Sequence, residues 1–416
     1  MHILYLSHYF TPENNAPAAR VHALSREWVR RGHEVTVVTC APNVPSGVVY
    51  DGYRNRLWQE EWIDGIRTIR VWTFLAANAG TVRRTVSFLS YFAAAAAAAP
   101  FVRRPDVVIA TSPQFFAGWA GVPAHWVHRV PFVLEIRDIW PESITAVGAM
   151  RRGVAVRALE WLERGLYAAA DRIVAVGEGY KEQLVTRGVP SGKIDVVTNG
   201  VDPDLFFPRD PDPAVRDRWG LGQDAFVVVF AGTIGMASGL DVALRAARRL
   251  RERGRGDISF LLVGAGAVRA ELEAAARAQG LDNVVFTGMV ARDRLPDVLA
   301  AADACLVHFK RRDIFTTILP SKLFEDAAMA KPILLGFEGH AAALVREADC
   351  GICFTPEDDE ALAAAAERLA ADPEEARRLG ENGRRHMLEH FDRRVLANDY
   401  LAILGRVRED AQPAPR

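Results

Sequence analysis

Short runs of apolar, often β-branched residues alternate with stretches of helical spacing along the whole chain. That alternation leaves few folds open. The run His2–Ser7 is followed by helical spacing at Val21, Leu24, Trp28 and Val29 within Arg20–Arg30, and Gly32-His33 ends that helix before the β-branched run Glu34–Thr39. Ile66–Trp72 reads as a further strand, and Asp106–Ala110, Phe132–Ile136 and Arg172–Val176 read as strands buried on both faces. Strands of that kind joined by helices predict parallel pairing with crossovers, hence a doubly wound α/β sheet.

The second half repeats the pattern. Phe226–Ala231 leads into Gly-rich sequence and a helix from about Leu240 to Arg253, and Ile258–Val263 leads into Gly264-Ala265-Gly266 and a helix over Val268–Gln279. Val284–Thr287, Ala304–His308 and Pro332–Leu335 continue the series. A Pro- and Asp-rich stretch from Asn199 to Pro213 separates the halves and reads as a linker. The expectation is two Rossmann-like domains, residues 1–203 and 204–390, facing one another across a cleft. The carboxyl ends of open parallel sheets are where such folds bind ligands.

Composition excludes several classes. The 416 residues carry 51 Lys+Arg against 52 Asp+Glu, a net charge of −1, so no excess of positive charge is available for nucleic acid. Half the residues are apolar and a quarter charged, which argues against disorder and against a disulfide scaffold. Almost all basic residues are Arg; Lys occurs only at 181, 193, 310, 322 and 331, which draws attention to any Lys within a motif. Cys350 and Cys353 form a CxxC that no second pair or nearby His completes as a metal site, so they read as packed thiols in a reducing cytoplasm. No basic leader or cleavage site precedes the first strand. The uncharged stretch Val86–Val102, flanked by Arg83, Arg84, Arg103 and Arg104, has 17 residues and a Pro at 100. It falls short of the roughly 20 strongly apolar residues of a span, leaving a buried core helix or an interfacial helix as its readings.

An ordered set of motifs then narrows the family. It comprises Arg31-Gly32-His33-Glu34-Val35-Thr36-Val37, Asp171–Val176, Lys193–Asp202, Phe230-Ala231-Gly232-Thr233, Leu262–Gly266 and Pro320-Ser321-Lys322-Leu323-Phe324-Glu325. The series resembles the family 4 glycosyltransferases of the GT-B fold over nearly the whole chain. The block Arg137–Ser143 is similar to the branch that builds bacterial surface polysaccharide, including N-acetyl-fucosamine transferases of O-antigen assembly. The resemblance implies a retaining, metal-independent transfer from a nucleotide sugar, usually a UDP-sugar, with no cofactor. It implies a donor-binding C-terminal domain, an acceptor-binding N-terminal domain, and a last helix, here 391–407, that crosses back to the first domain. For this branch the acceptor is a lipid-linked glycan at the inner face of the cell membrane. Contact with the bilayer is then expected through residues 83–104.

The same resemblance points to site residues. Glu325 stands where the family places its ribose-binding Glu, and a carboxylate can accept from two vicinal hydroxyls. The earlier Glu of the family's motif is replaced by Thr317, and the Arg and Lys that follow the first strand of the second domain are replaced by Thr233 and Ser238. Lys322, with Ser321 at a helix start, is therefore the expected diphosphate contact, beside the backbone of Gly232 and Thr233. Gly264 and Gly266 are expected under the nucleotide base. The GxG alone would also suit a dinucleotide, but Arg269 replaces its third Gly. On the acceptor side Asp138 is the candidate base or sugar-orienting group and Arg137 a candidate phosphate contact. Glu13, Asn14 and Asn15 occupy the loop that in relatives lies near the diphosphate. Asp202-Pro203-Asp204 and Asp210-Pro211-Asp212 read as turns rather than as metal-binding DxD motifs. The alternatives are a UDP-sugar 2-epimerase of the same fold and an NAD-dependent oxidoreductase.

Overall fold

The computed structural model describes residues 1–13, 15–77, 81–112, 115–139 and 154–411. The chain divides into two compact units, Met1–Thr198 with Arg394–Arg416, and Asn199–Arg393.

Among the described residues the first unit holds an eight-stranded sheet in the order β3-β4-β2-β1-β5-β6-β7-β8. Its strands are β1 His2–Leu6, β2 Glu34–Cys40, β3 Trp58–Ile63, β4 Ile66–Val71, β5 Val107–Thr111, β6 Phe132–Ile136, β7 Arg172–Ala175 and β8 Ile194–Val196. All pair in parallel except β3, which runs antiparallel to β4. The period of two along a strand sends alternate side chains to opposite faces. Leu4 and Leu6 join one core and Ile3 and Tyr5 another, and each core is closed by helices. The strand order reverses between β1 and β5, which is the switch point where doubly wound folds place ligands.

The last helix, Arg393–Asp410, belongs to this first unit from Arg394 onward. Trp28 Nε1 donates to Ala397 O at 2.9 Å, and the buried Tyr400 meets Trp28 edge to face. Phe391, just before the helix, packs instead on Phe324 in the second unit.

The second unit repeats the doubly wound order in a six-stranded parallel sheet, β11-β10-β9-β12-β13-β14. Its strands are β9 Phe226–Ala231, β10 Ile258–Val263, β11 Val284–Gly288, β12 Ala304–His308, β13 Ile333–Gly336 and β14 Gly351–Phe354. Helices cover both faces here too, Ser321–Ala328 and His340–Glu347 on one, Asp241–Glu252 and Asp359–Ala371 on the other. The reversal of order falls between β9 and β12.

The stretch expected to meet a membrane is only partly available for it. Helix Thr81–Ala98 turns Phe88, Tyr91 and Ala95 into the first unit's core, and Tyr91 donates its hydroxyl proton to Val38 O at 2.8 Å. Val102 is buried as well, Arg103 pairs with Glu34, and Arg104 Nε donates to His128 O. The sheet beneath needs an apolar cover, and the aromatic half of the segment supplies it. What stays exposed is the stripe Val82, Val86 and Leu89, with Arg83 and Arg84 beside it, and Phe101 beyond the helix. Among the described residues no helix is long and apolar enough to cross a membrane.

Candidate active site

Two Gly-rich loops meet at the carboxyl edge of the second sheet. Pairing continues past the ends of β9 and β10: Gly232 donates its N–H to Val263 O and Ile234 donates to Ala265 O, both at 2.9 Å. The backbones come so close that a Cβ on Gly264 would lie 1.9 Å from Gly232 O, and one on Gly266 would lie 2.2 Å from Ile234 O. Gly264 also holds φ at +139°, which side chains other than Gly rarely adopt. Gly264 and Gly266 are thus required by loop-on-loop packing, a role the base-contact expectation did not contain.

Gly232 leaves room for Lys322. A Cβ on Gly232 would sit 2.9 Å from the Lys322 ammonium, which lies 3.5 Å from the centroid of the Phe230 ring in a cation–π contact. Lys322 stands in the first turn of helix Ser321–Ala328, which has no side-chain cap and no acidic residue in that turn. The N–H groups and dipole of such a terminus favour an anion. Among the described residues the ammonium makes no ion pair. Burial lowers its pKa to about 7 against the opposing pull of Asp326 and Glu325. Asp326, one turn further on, is itself buried, with its carboxyl pushed well up and Oδ2 without a hydrogen bond among the described residues. The geometry leaves a cation in want of a counter-charge at the edge of a Gly loop.

Thr233 and Ser238 serve the loop itself: Ser238 Oγ donates to Thr233 O at 2.8 Å. His308, at the end of β12, was not singled out in the sequence, yet it fixes this loop. It is fully buried, and burial lowers its pKa, so the ring is neutral. Its Nδ1 donates to Ser238 O at 2.7 Å, and its Nε2 accepts the N–H of Glu357 at 2.9 Å, which together set the tautomer.

Glu325 is engaged by arginines that the sequence did not connect to it. Arg292 Nη2 donates to Oε1 at 2.5 Å, and Arg393 Nη2 lies 3.7 Å from the same oxygen. Oε2 receives no hydrogen bond among the described residues, which leaves that oxygen available to a hydroxyl pair. Glu325→Gln removes the ion pair. Because Arg292 is 28% exposed, the expected loss is about 2 kcal/mol, below that of a fully buried pair. If the carboxylate also holds a ribose, wild type prefers UDP to 2′-deoxy-UDP in calorimetry and Glu325→Gln does not. A variant that is less stable but keeps the preference leaves Glu325 as a structural partner of Arg292.

In the first unit, two of the three loop candidates, Glu13 and Asn15, are engaged by the protein's own backbone. Glu13 is buried and accepts the N–H groups of Asn43 and Val44, at 2.9 and 3.2 Å, so its carboxylate holds a neighbouring loop rather than facing a ligand. Asn15 caps helix Ala16–Arg30 by accepting the N–H of Ala18 at 2.9 Å. Asn14 lies outside the described residues, as do Trp140–Ser143 of the branch block.

Arg137 and Asp138 stand just beyond β6, and the hydroxyl of Ser112 accepts the N–H of Arg137 at 2.7 Å and of Asp138 at 3.4 Å. The Asp138 carboxylate lies near Tyr180 and Tyr167, where its charge adds to the effect of burial in raising both phenols. Beneath them the buried Glu135 accepts from the hydroxyls of Tyr5 and Thr111 and from Arg20 Nε.

The two DxD-like sequences are turn chemistry. Asp202 Oδ1 accepts the N–H of Asp204, and Asp212 caps helix Pro213–Arg218. Among the described residues no group of three His, Cys, Asp or Glu side chains is placed to hold a metal.

Comparison with known proteins fits this architecture. Residues 15–200 match the family described as a glycosyl transferase 4-like domain, and residues 212–386 match glycosyl transferases group 1. Over 351 residues the chain is 27% identical to WcaI of Escherichia coli (strain K12), named as a colanic acid biosynthesis glycosyl transferase, covering 81% of this chain and 84% of the relative. It is 29% identical over 248 residues to the GDP-mannose-dependent alpha-(1-6)-phosphatidylinositol monomannoside mannosyltransferase of Mycolicibacterium smegmatis, covering 58% of this chain and 64% of the relative. Among solved structures, Anabaena HepE in complex with UDP-glucose superposes with a TM-score of 0.70 at 17% identity, over 98% of this chain and all of that one. The chain belongs to the family 4 glycosyltransferases of the GT-B fold.

Proposed function

We propose that the protein is a retaining glycosyltransferase that moves a sugar, of N-acetylhexosamine type, from a UDP-sugar to a lipid-linked glycan in bacterial surface polysaccharide synthesis. The observation that carries the donor reading is the unpaired Lys322 ammonium over Phe230, at a helix start and one turn from Glu325. In this reading Lys322 meets the diphosphate and Glu325 the ribose. As the bond from the anomeric carbon to the diphosphate oxygen breaks, the acceptor oxygen bonds to that carbon on the same face. The acceptor proton passes to the departing phosphate, and Lys322 offsets the charge that gathers there. Asp138 orients a hydroxyl of the acceptor or of the sugar. The relation to WcaI supports a polysaccharide product, and the HepE complex supports a UDP-sugar; the mannosyltransferase relative makes GDP the donor base to test against.

The assay offers UDP- and GDP-sugars with a lipid-linked acceptor, with and without EDTA, and reads the product's anomeric configuration by NMR. Retention from a UDP-sugar, undiminished by EDTA, is the expected result. Inversion, or loss restored by Mg²⁺, contradicts the retaining or the metal-independent reading. Conversion of the donor without acceptor would make the protein an epimerase.

The membrane contact is proposed in a revised place. Val82, Val86 and Leu89 with Arg83 and Arg84 lie on the part of helix Thr81–Ala98 nearest the carboxyl edge of the first sheet. Trp72 and Phe74, just past β4, and Leu57, just before β3, are exposed at that same edge. Arginines facing anionic lipid contribute about 1 kcal/mol each, so binding is reversible and weakened by salt. Arg83/Arg84→Ser is expected to sediment with anionic vesicles less than wild type at low salt. Equal sedimentation of the two removes this surface from the account.

A further inference from the structure

We infer that the carboxyl edge of the first sheet contains an anion site centred on Arg137, which takes a phosphate or carboxylate oxygen of the acceptor. The acceptor assignment rests on the glycosyltransferase reading above; the anion site rests on the charges around β6.

Four charged side chains lie around this turn, Arg20, Glu135, Arg137 and Asp138, and two of them, Glu135 and Arg20, satisfy one another. Glu135 is fully buried, and both of its oxygens are used: Oε1 accepts from Tyr5 and Thr111, each at 2.9 Å, and Oε2 accepts from Arg20 Nε at 3.0 Å. Arg20 is used up in turn. Its Nη1 donates to Thr198 O at 2.6 Å and its Nη2 to Val197 O at 2.8 Å. Glu135 and Arg20 therefore form a neutral, hydrogen-bonded pair.

Arg137 makes no such pair among the described residues. Two residues past Glu135, it continues the same side of the strand. It feels Glu135 and Arg20 as charges, attracted by the one and repelled by the other, while burial lowers its pKa. Its Nε and Nη1 are buried and have no hydrogen-bond partner among the described residues. A buried donor left unmade costs stability, and a buried cation more so. The phenols of Tyr5 and Tyr180 are also near it, and the Asp138 carboxylate acts on the same Tyr180. The Ser112 hydroxyl holds the turn by accepting the N–H groups of both Arg137 and Asp138.

A planar guanidinium with free N–H groups at the carboxyl end of β6 matches an oxygen anion with two acceptor atoms. A neutral sugar would offer these N–H groups no charge-assisted acceptor. Two sources carry the needed chemistry: the diphosphate that joins a glycan to its lipid, and the carboxylate of a uronic acid residue within the glycan.

The test uses the full chain with the donor site filled by saturating UDP, whose own binding is measured first. Inorganic pyrophosphate, glucuronate and, as the neutral control, glucose are then titrated by calorimetry. Wild type is expected to bind one of the two anions and not glucose. Arg137→Gln is expected to weaken that anion by about tenfold or more while its UDP affinity stays unchanged. Arg137→Lys, which keeps the charge without the fork, should fall between them and guards against a misfolded Gln variant. Preference for pyrophosphate identifies the lipid diphosphate as the source, and preference for glucuronate identifies the uronate. Equal binding of both anions by wild type and Arg137→Gln overturns the site. Loss of UDP binding in Arg137→Gln overturns the acceptor assignment. Failure of wild type to bind UDP at all would instead sink the donor reading and leave the anion titration to be read without it.

Discussion

Lys322→Met is expected to lower kcat/KM by about 10²-fold or more while leaving the protein as stable as before, or more so. The loss follows from removing a fixed positive charge from the developing diphosphate, where mutational effects on comparable electrostatic groups reach about 10²–10³. The stability result follows from the environment: the ammonium is desolvated, rests on Phe230 and makes no ion pair among the described residues. An apolar chain of similar length removes that cost. The linkage has a definite sign. Between about pH 7 and the 10.5 of a free lysine, the unfolded chain holds this proton more tightly than the folded one. The stability advantage of Lys322→Met is therefore largest below about pH 7 and shrinks as pH rises through that window. UDP, which favours the charged form, should bind wild type less tightly as pH rises above about 7, with proton uptake on binding. Lys322→Arg should remove that pH dependence. Thermal unfolding and calorimetry across pH 6–9 check all of this; a variant that loses stability and activity together would mark Lys322 as structural.

Asp138→Asn is expected to lower turnover by about 10²-fold with UDP affinity intact. Asp138 lies in the first unit, with its charge near Tyr167 and Tyr180. Asn keeps the size and much of the hydrogen bonding of Asp, so a turn held by Ser112 survives the change. The charge does not survive it. A variant of normal turnover but lower melting temperature would assign Asp138 to the turn alone.

The doubly wound pattern was legible because its central strands are buried on both faces and read as unbroken apolar runs. β3 was not, because Gln59, Glu60 and Glu61 interrupt it, as an edge strand permits. Its signal was the Asp64-Gly65 turn, where both residues hold positive φ between two strands. Lys322 and Glu325 could be picked out as one short motif. The arginines on Glu325 and the role of His308 could not, because each depends on segments distant in sequence that only the folded sheet brings together. Glu13 misled for a related reason: a carboxylate after a first strand looks ligand-facing until the N–H groups of Asn43 and Val44 are seen to occupy it. The Ala-rich helix was read for its lack of charge, whereas its periodicity decides which aromatic side chains the sheet buries.

A diphosphate contact at Lys322 is tested by comparing UDP with UMP by calorimetry in wild type and in Lys322→Met. Wild type is expected to bind UDP about tenfold or more tightly than UMP, and Lys322→Met to bind the two alike, since the charge-assisted contact to the second phosphate is gone. Equal binding of UMP and UDP by wild type, or an undiminished preference for UDP in Lys322→Met, would contradict it.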